Sequence, residues 1–308
     1  MYKSKYKPNK IYYFWACDYS KISGEGVLGN LFIKNFQSDK KKFKVFTVQS
    51  LKIKNKKIKK ILNYKYISPF VGILFCWYFF LNGRRVGYIN YLPLWNFVLF
   101  LTLPPKIILG PITGGAKFNK KHQFILRKYF FFIFYKISEL IIFIRCKKVT
   151  FATDLLKNIL NKYTIFNSKF NFVFKKININ KKIKKKQKKI DLLIYYKDHR
   201  NKNIVFPFEL LKKLIRLNFK IFVFGDRLKM IGIKNLGYLN NNKINSLLSK
   251  TRFTISSNEN FYTMFNLECI NNKVKIITTE SKKNIKYFKD SYIYVNENKE
   301  INLKRFLK

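Results

Sequence analysis

Residues 11–36 read IYYFWACDYSKISGEGVLGNLFIKNF. An unbroken apolar run from Ile11 to Cys17 stops at Asp18, a glycine-rich turn follows, and Val27–Phe36 has the spacing of a helix. A strand that is apolar at every position, with no polar alternation, suits a parallel sheet covered on both faces. The unit therefore reads as strand, tight turn and helix, the repeating element of α/β architecture.

The same alternation continues in both directions from this stretch. Strands are expected at Phe43–Gln49, Val86–Tyr91, Lys106–Leu109 and Lys148–Ala152. Helices are expected at Pro69–Leu81, Leu94–Leu103, Gln123–Ile144 and, more briefly, Leu155–Leu160. From Asn180 to Lys189 the chain carries seven lysines and almost no apolar residue, which predicts a solvated break. The pattern then restarts. Strands are expected at Asp191–Tyr196, Lys220–Phe224, Phe253–Ser256 and Val274–Thr278. Helices are expected at Pro207–Leu217, Ile244–Ser249 and Phe265–Asn271. The predicted organisation is a Rossmann-like domain over residues 1–180, a lysine-rich linker over 181–189, and a second Rossmann-like domain over 190–308. Each domain should be a doubly wound parallel sheet.

Composition narrows the function classes. Among 308 residues, 64 Lys and Arg face 15 Asp and Glu, a formal charge of +49. Such a charge invites a nucleic-acid reading. However, 55 of the cations are lysine, and only three alanines occur beside 33 Phe and 20 Tyr. That is the skew an A/T-rich coding sequence imposes on any protein. The chain is poor in arginine and shows no Cys-His finger, so a basic nucleic-acid-binding protein stands as the alternative. Cys17, Cys76, Cys146 and Cys269 lie far apart in apolar stretches, as buried thiols of a reducing compartment do. With His122 and His199 as the only histidines, no metal site is expected. The N-terminal apolar run, with no small-residue cleavage site after it, reads as a strand and not as a signal peptide. Pro69–Leu81 and Leu92–Leu103 are shorter than the ~20 residues a spanning helix needs. Four charges interrupt Gln123–Ile144, which argues against an integral membrane protein. A basic, aromatic-rich surface instead gains ~1 kcal/mol per Lys or Arg near anionic lipid. The expectation is a cytoplasmic protein, peripheral on the inner face of a membrane, with the anionic membrane surface as a partner.

Four motifs carry the candidate chemistry. In Ser23–Gly29 the glycines allow close backbone approach to a ligand at a helix N-terminus, which singles out Gly24 and Gly26. Gly24, Gly26 and Gly29 also match the letters of a dinucleotide fingerprint. The second strand ends Val48-Gln49-Ser50 without the carboxylate that NAD binding requires, so a dinucleotide-dependent oxidoreductase is disfavoured. Gly110-Pro111-Ile112-Thr113-Gly114-Gly115 follows a strand in a chain with 12 glycines, and Gly114 and Gly115 mark a possible substrate loop. Lys197, Arg200 and Lys202 lie just beyond a strand's carboxyl end, where a cationic cluster suits a diphosphate. Finally, Glu259-Asn260-Phe261 and Glu268 place two scarce carboxylates around the start of a helix, where they could hold sugar hydroxyls.

These residues resemble the glycosyltransferases of the GT-B fold, in particular the family-4-like group (glycosyl transferases group 1). That family has a glycine-rich loop after its first strand, as at Ser23–Gly29. It has an Arg and, five positions on, a Lys that grip the donor diphosphate, matched here by Lys197 and Lys202. Its Glu-(seven residues)-Glu segment, running into a helix and then a strand, is matched by Glu259 to Ile277, with Glu259 and Glu268 nine positions apart instead of eight. Phe261 and Tyr262 stand where the family has glycines, and no His occurs between Tyr64 and Gly110. The Glu-Asn pair also resembles the same-fold fucosyltransferases.

The resemblance implies two domains facing a central cleft and a hexosyltransferase-like enzyme that moves a sugar, with retention, from a nucleotide-diphosphate sugar to a glycan or lipid-linked acceptor in cell-surface polysaccharide synthesis. It implies no cofactor and no metal, the nucleotide sugar being the donor substrate. It assigns Glu259, Lys202 and Lys197 to catalysis. Glu268 (at the ribose), Arg200, Asn260, Phe261, Gly24 and Gly26 would bind the donor.

Overall fold

A computed structural model describes residues 11–20, 23–38, 42–64, 66–114, 129–145, 149–178, 188–198, 206–256, 260–279 and 285–296. The chain divides into two compact units, Met1–Val173 and Phe174–Lys308. The lysine-rich stretch 181–187 lies outside the described residues.

The first unit runs β1 (Tyr12–Trp15), α1 (Gly24–Ser38), β2 (Phe43–Phe46), α2 (Lys56–Leu62), α3 (Ser68–Leu81), β3 (Arg85–Tyr88), α4 (Phe97–Thr102), β4 (Ile108–Leu109), α5 (Phe131–Arg145), β5 (Val149–Thr150), α6 (Lys162–Phe166) and β6 (Ser168–Lys169). Its main sheet has the order β2-β1-β3-β4, and every pairing is parallel. Two single bridges, Pro93 with Thr113 and Ile112 with Phe151, carry the strand direction on towards β5, which pairs with β6. Trp15, Tyr88, Leu92, Leu94 and Ile112 are fully buried in the core of this unit.

The second unit runs β7 (Ile190–Tyr196), α7 (Phe208–Arg216), β8 (Ile221–Gly225), β9 (Ile233–Asn235), α8 (Asn241–Leu248), β10 (Thr251–Ile255), α9 (Met264–Asn271), β11 (Lys275–Thr278) and β12 (Tyr292–Tyr294). All six strands are parallel, in the order β12-β11-β10-β7-β8-β9. Leu192, Leu193, Ile194 and Val223 are wholly excluded from solvent, as strands covered on both faces require. On α7, Leu210, Leu211 and Leu214 turn inward, while Glu209 and Lys212 pair at 2.7 Å outside. Two parallel α/β units in one chain is the architecture that the GT-B resemblance implies.

Local chemistry explains where expectation and structure part. The helix expected from Val27 begins at Gly24, because Ser23 caps it: its Oγ accepts from the Gly26 amide at 2.8 Å and its carbonyl from Val27 N at 2.9 Å. The glycine-rich segment is thus mostly the first turns of α1. The strand expected to reach Asp18 pairs only to Trp15, since the Cys17 amide leaves the ladder for the Asn90 side chain. Leu155–Leu160 forms successive turns closed by Lys157 N to Asp154 O and Ile159 N to Leu156 O, not the expected helix. Burying both Leu156 and Leu160 is achieved by the turns alone. Gln123–Arg127 of the expected long helix lies outside the described residues; its described part is α5. The short elements α2, α6, β6, β9 and β12 have no counterpart in the periodicity. Among the described residues, Cys17, Cys76 and Cys269 are free thiols.

Candidate functional site

Ligands of open parallel sheets bind beyond strand carboxyl ends, where the strand order reverses. In the first unit that point lies between β1 and β3, because β2 lies on one side of β1 and β3 on the other. Asn90, fully buried just after β3, clasps the two strand ends together. Its Oδ1 accepts from the Cys17 amide at 2.9 Å, and its Nδ2 donates to the Asp18 carbonyl. Asp18 orders the turn: Oδ1 accepts from Ser20 N at 2.7 Å and Oδ2 accepts from the Ser23 hydroxyl. Asn30 fastens the same turn from α1, donating to the carbonyls of Tyr19 (3.1 Å), Ser20 (3.2 Å) and Gly26 (2.8 Å). Glu25, in the first turn of α1, accepts from the Tyr91 amide at 3.2 Å. Burial, with Asp18 and Glu25 nearby, pushes the Tyr91 phenol up to about 12.

The two glycines assigned to donor binding have different surroundings here. A Cβ at Gly26 would stand 2.3 Å from the Ser20 carbonyl oxygen, so this glycine lets helix and turn pack together. A Cβ at Gly24 would meet nothing within 4 Å, so this position alone of the pair borders open space. The second glycine segment is structural over its described part. Ile112 N bonds Thr150 O at 2.8 Å and Thr113 N bonds Leu92 O at 2.9 Å, while a Cβ at Gly110 would overlap the Ile89 carbonyl at 1.8 Å. Gly114 lies against Leu156 and the Tyr135 hydroxyl; Gly115 lies outside the described residues.

In the second unit the order reverses between β7 and β10. Lys197 is exposed directly after β7. Beside it, Asp226, following β8, accepts from the Asp198 amide at 2.8 Å and from the Tyr238 hydroxyl. That hydrogen bond raises the Tyr238 phenol, and burial, with Asp226 second, raises Tyr195. Gly225 has φ +101° and would place a Cβ 2.2 Å from the Tyr196 carbonyl, so the ends of β7 and β8 meet at a position only glycine fits. After β10, Ser256 is buried and its Oγ accepts from Asn266 Nδ2 at 2.9 Å. Asn260 Oδ1 accepts from the Tyr262 amide at 2.8 Å, shaping the approach to α9, which Thr263 caps through Asn266 N. Phe261 presents its carbonyl to Asn266 Nδ2 and to the Tyr292 hydroxyl.

Glu268 lies on α9, paired with Lys176 at 2.6 Å, both side chains mostly shielded. Lys176 belongs to the segment Phe174–Asn178, whose Phe174 ring packs on Tyr262, Tyr287 and Phe288. Glu259, Arg200 and Lys202 lie outside the described residues. The structure thus places Asn260 and Phe261 on the β10–α9 connection, Glu268 within α9, and Lys197 at the end of a neighbouring strand. Sequence reasoning passed over Asn90 and Asp226 as site residues. Asp226 carried a signal, as a polar residue directly after an apolar strand, whereas Asn90 was hidden inside the stretch Val86–Tyr91 expected as a strand. Separately, a cavity of about 220 Å³ lined by Ile142, Phe143, Tyr163 and Ser168 involves none of the residues singled out from the sequence.

Several solved structures are similar in fold. One is a UDP-GlcNAc 2-epimerase from Methanocaldococcus jannaschii in complex with UDP-GlcNAc and UDP, with 12% identity, 94% of this chain and 89% of that one covered, and a TM-score of 0.48. Another is WaaG, a glycosyltransferase involved in lipopolysaccharide biosynthesis, with 12% identity, 87% and 80% covered, and a TM-score of 0.46. A third is Anabaena Alr3699/HepE in complex with UDP, with 10% identity, 87% and 80% covered, and a TM-score of 0.45. No family model matches the chain, and no curated protein matches it.

Proposed function

We propose that the protein is a glycosyltransferase that takes its sugar from a nucleotide-diphosphate donor and passes it, with retention, to a glycan or lipid-linked acceptor. The observation that carries this reading is the β10–α9–β11 segment at the strand-order reversal of the second unit. There Asn260 and Phe261 precede a capped helix, Glu268 lies within it, and a parallel strand follows, the order the resemblance implies. The donor's diphosphate is assigned to Lys197, Arg200 and Lys202, and its ribose to Glu268. Positive groups fixed in advance stabilise charge that develops on the departing diphosphate, commonly the dominant source of rate enhancement in such reactions. Glu259 is assigned to the donor sugar. Gly24 contributes from the first unit, as the position with space for a ligand beside the backbone. In this reading cations of the protein carry the leaving-group charge without a metal ion, so turnover should survive excess EDTA.

The test is a thermal-shift and calorimetric screen against UDP-, GDP- and TDP-sugars. Saturating ligand at about 100 times Kd raises stability by about 2.7 kcal/mol. Stabilisation by one nucleotide class supports the reading; well-folded protein unmoved by all three refutes it. The anomeric configuration of the product, read by NMR, decides retention.

A further inference from the structure

Helix α3 is apolar on every side. Its inner side, Ser68, Gly72 and Cys76, is buried on the sheet so closely that a Cβ at Gly72 would meet the Trp15 ring at 2.2 Å. Its opposite side holds Phe70, Leu74, Tyr78 and Leu81, which are 62%, 72%, 65% and 77% exposed. At 3.6 residues per turn these four share an arc of roughly 80°. A helix apolar all round is ordinarily covered all round. This one is covered on one side only. The exposed surface continues onto α4, whose Val98 and Leu101 are 47% and 55% exposed and whose Thr102 carbonyl accepts from Trp77 Nε1 of α3 at 2.6 Å.

Charge identifies what meets this face. From Lys40 to Ser138, a run of 99 residues that supplies α2, α3 and α4, there are 20 Lys and Arg and not one Asp or Glu. The remaining 209 residues hold all 15 acids, a density at which this run would contain about seven. Codon bias acts along the whole chain alike, so it accounts for lysine in place of arginine but not for this local absence of acids. Lys56, Lys57 and Lys60 of α2, the helix before α3 in the chain, and Arg84, three residues after it, are exposed, so cations flank the apolar helix on both sides in sequence. An exposed apolar helix face in a segment with exposed cations and no acids is complementary to a lipid surface with anionic headgroups. It is not complementary to itself, because two copies would set cations against cations. Among the described residues no helix is long and apolar enough to cross a membrane. The 14 residues of α3 span roughly 21 Å against a hydrocarbon core of about 30 Å.

We propose that the α3–α4 face of the first unit, flanked by the lysines of α2, seats the protein on an anionic bilayer surface with α3 lying along it. This goes beyond glycosyl transfer and assigns the composition-level expectation of membrane attachment to named residues. The test uses the full chain in co-sedimentation with vesicles of phosphatidylcholine, with and without phosphatidylglycerol, in the absence of any nucleotide sugar. Failure here and failure of the donor reading are therefore distinguishable. Wild-type protein should partition at least about tenfold better onto the anionic vesicles, and less so as salt is raised. Leu74→Glu with Tyr78→Glu should lower that partitioning about tenfold or more while the thermal melt is unchanged, because both side chains face outward. Lys56→Glu with Lys57→Glu and Lys60→Glu should weaken binding to anionic vesicles only. The proposal is overturned if wild-type protein ignores anionic vesicles, or if the Leu74–Tyr78 variant binds them as wild type does. It is equally overturned if that variant turns a dimer into a monomer with vesicle binding intact.

Discussion

Gly24 and Gly26 stand two residues apart in one motif, and alanine should have opposite consequences at the two positions. At Gly26 the new Cβ would lie 2.3 Å from the Ser20 carbonyl oxygen, 2.8 Å from Ser20 Oγ and 2.9 Å from Asp18 Oδ1. The first of these atoms is backbone and is held by Asn30 at 3.2 Å, so the turn has to move. Overpacking of this kind costs about 1–3 kcal/mol. Displacing Ser23 from its cap adds about 1 kcal/mol. The better helix propensity of alanine returns about 0.5–1 kcal/mol. The net expectation for Gly26→Ala is a loss of about 2 kcal/mol, or roughly 1 M in the urea midpoint at a typical slope. At Gly24 a Cβ meets nothing, and Gly24→Ala should leave the midpoint unchanged or slightly raised. The assay is urea unfolding followed by tryptophan fluorescence, which reports the first unit because Trp15, Trp77 and Trp95 all lie in it. A Gly26→Ala midpoint equal to wild type, or equal losses at both positions, would refute the packing argument. Gly24→Ala should also weaken nucleotide-sugar binding with stability intact, and unchanged affinity would remove Gly24 from the donor site.

Three further outcomes follow from the same geometry. Asn90→Ala orphans the Cys17 amide and the Asp18 carbonyl at the joined ends of β1 and β3, and should cost about 2–6 kcal/mol, at about 1–3 for each group, in the same urea assay; a loss under about 1 kcal/mol would show that water or a relaxed backbone replaces the clasp. Burial pushes the Cys17 thiol from its ordinary 9.0 to about 11, so native protein at pH 8 should react with iodoacetamide roughly a hundredfold more slowly than a thiol of normal acidity, with the rate climbing towards pH 11. Because that folded-state pKa is raised, the associated stability is complete below about pH 9 and is lost between 9 and 11; a flat stability profile across that window would contradict the burial. Glu268→Gln should weaken nucleotide-sugar binding about tenfold or more, some 1.4 kcal/mol, if the carboxylate holds the ribose; unchanged binding with lowered stability would leave Glu268 as the partner of Lys176 alone.

Buried strands could be recognised in the sequence because both of their faces are covered, so each is apolar at nearly every position. Thus β7, β8, β10 and β11 fall within a residue or two of where the apolar runs place them. The weakly patterned elements could not be recognised in the same way. Asn55 starts α2 by accepting from Lys57 and Ile58, and Asn161 starts α6 by accepting from Thr164, and neither helix has an apolar face long enough to show a period. At the candidate site the Asn260–Glu268 segment was legible as a strand–loop–helix sequence. The ion pair of Glu268 was not, because Lys176 lies 92 positions earlier and nothing local links them.

The sequence by itself determined two parallel α/β units and the places where helices and strands alternate, while the glycines expected in a turn after the first strand proved to open α1. The units and their alternation follow from local apolar content and turn chemistry, which act between near neighbours. Tertiary structure alone decided what each glycine is for, because the clash at Gly26 and the free space at Gly24 depend on where Ser20 and Asp18 fold back. It also decided that the first unit closes at Val173, since Phe174 has its ring partners in Tyr262, Tyr287 and Phe288 far along the chain. The outward face of α3 likewise emerged only in three dimensions. Its sequence is apolar throughout, and only packing against the sheet selects which residues remain in solvent.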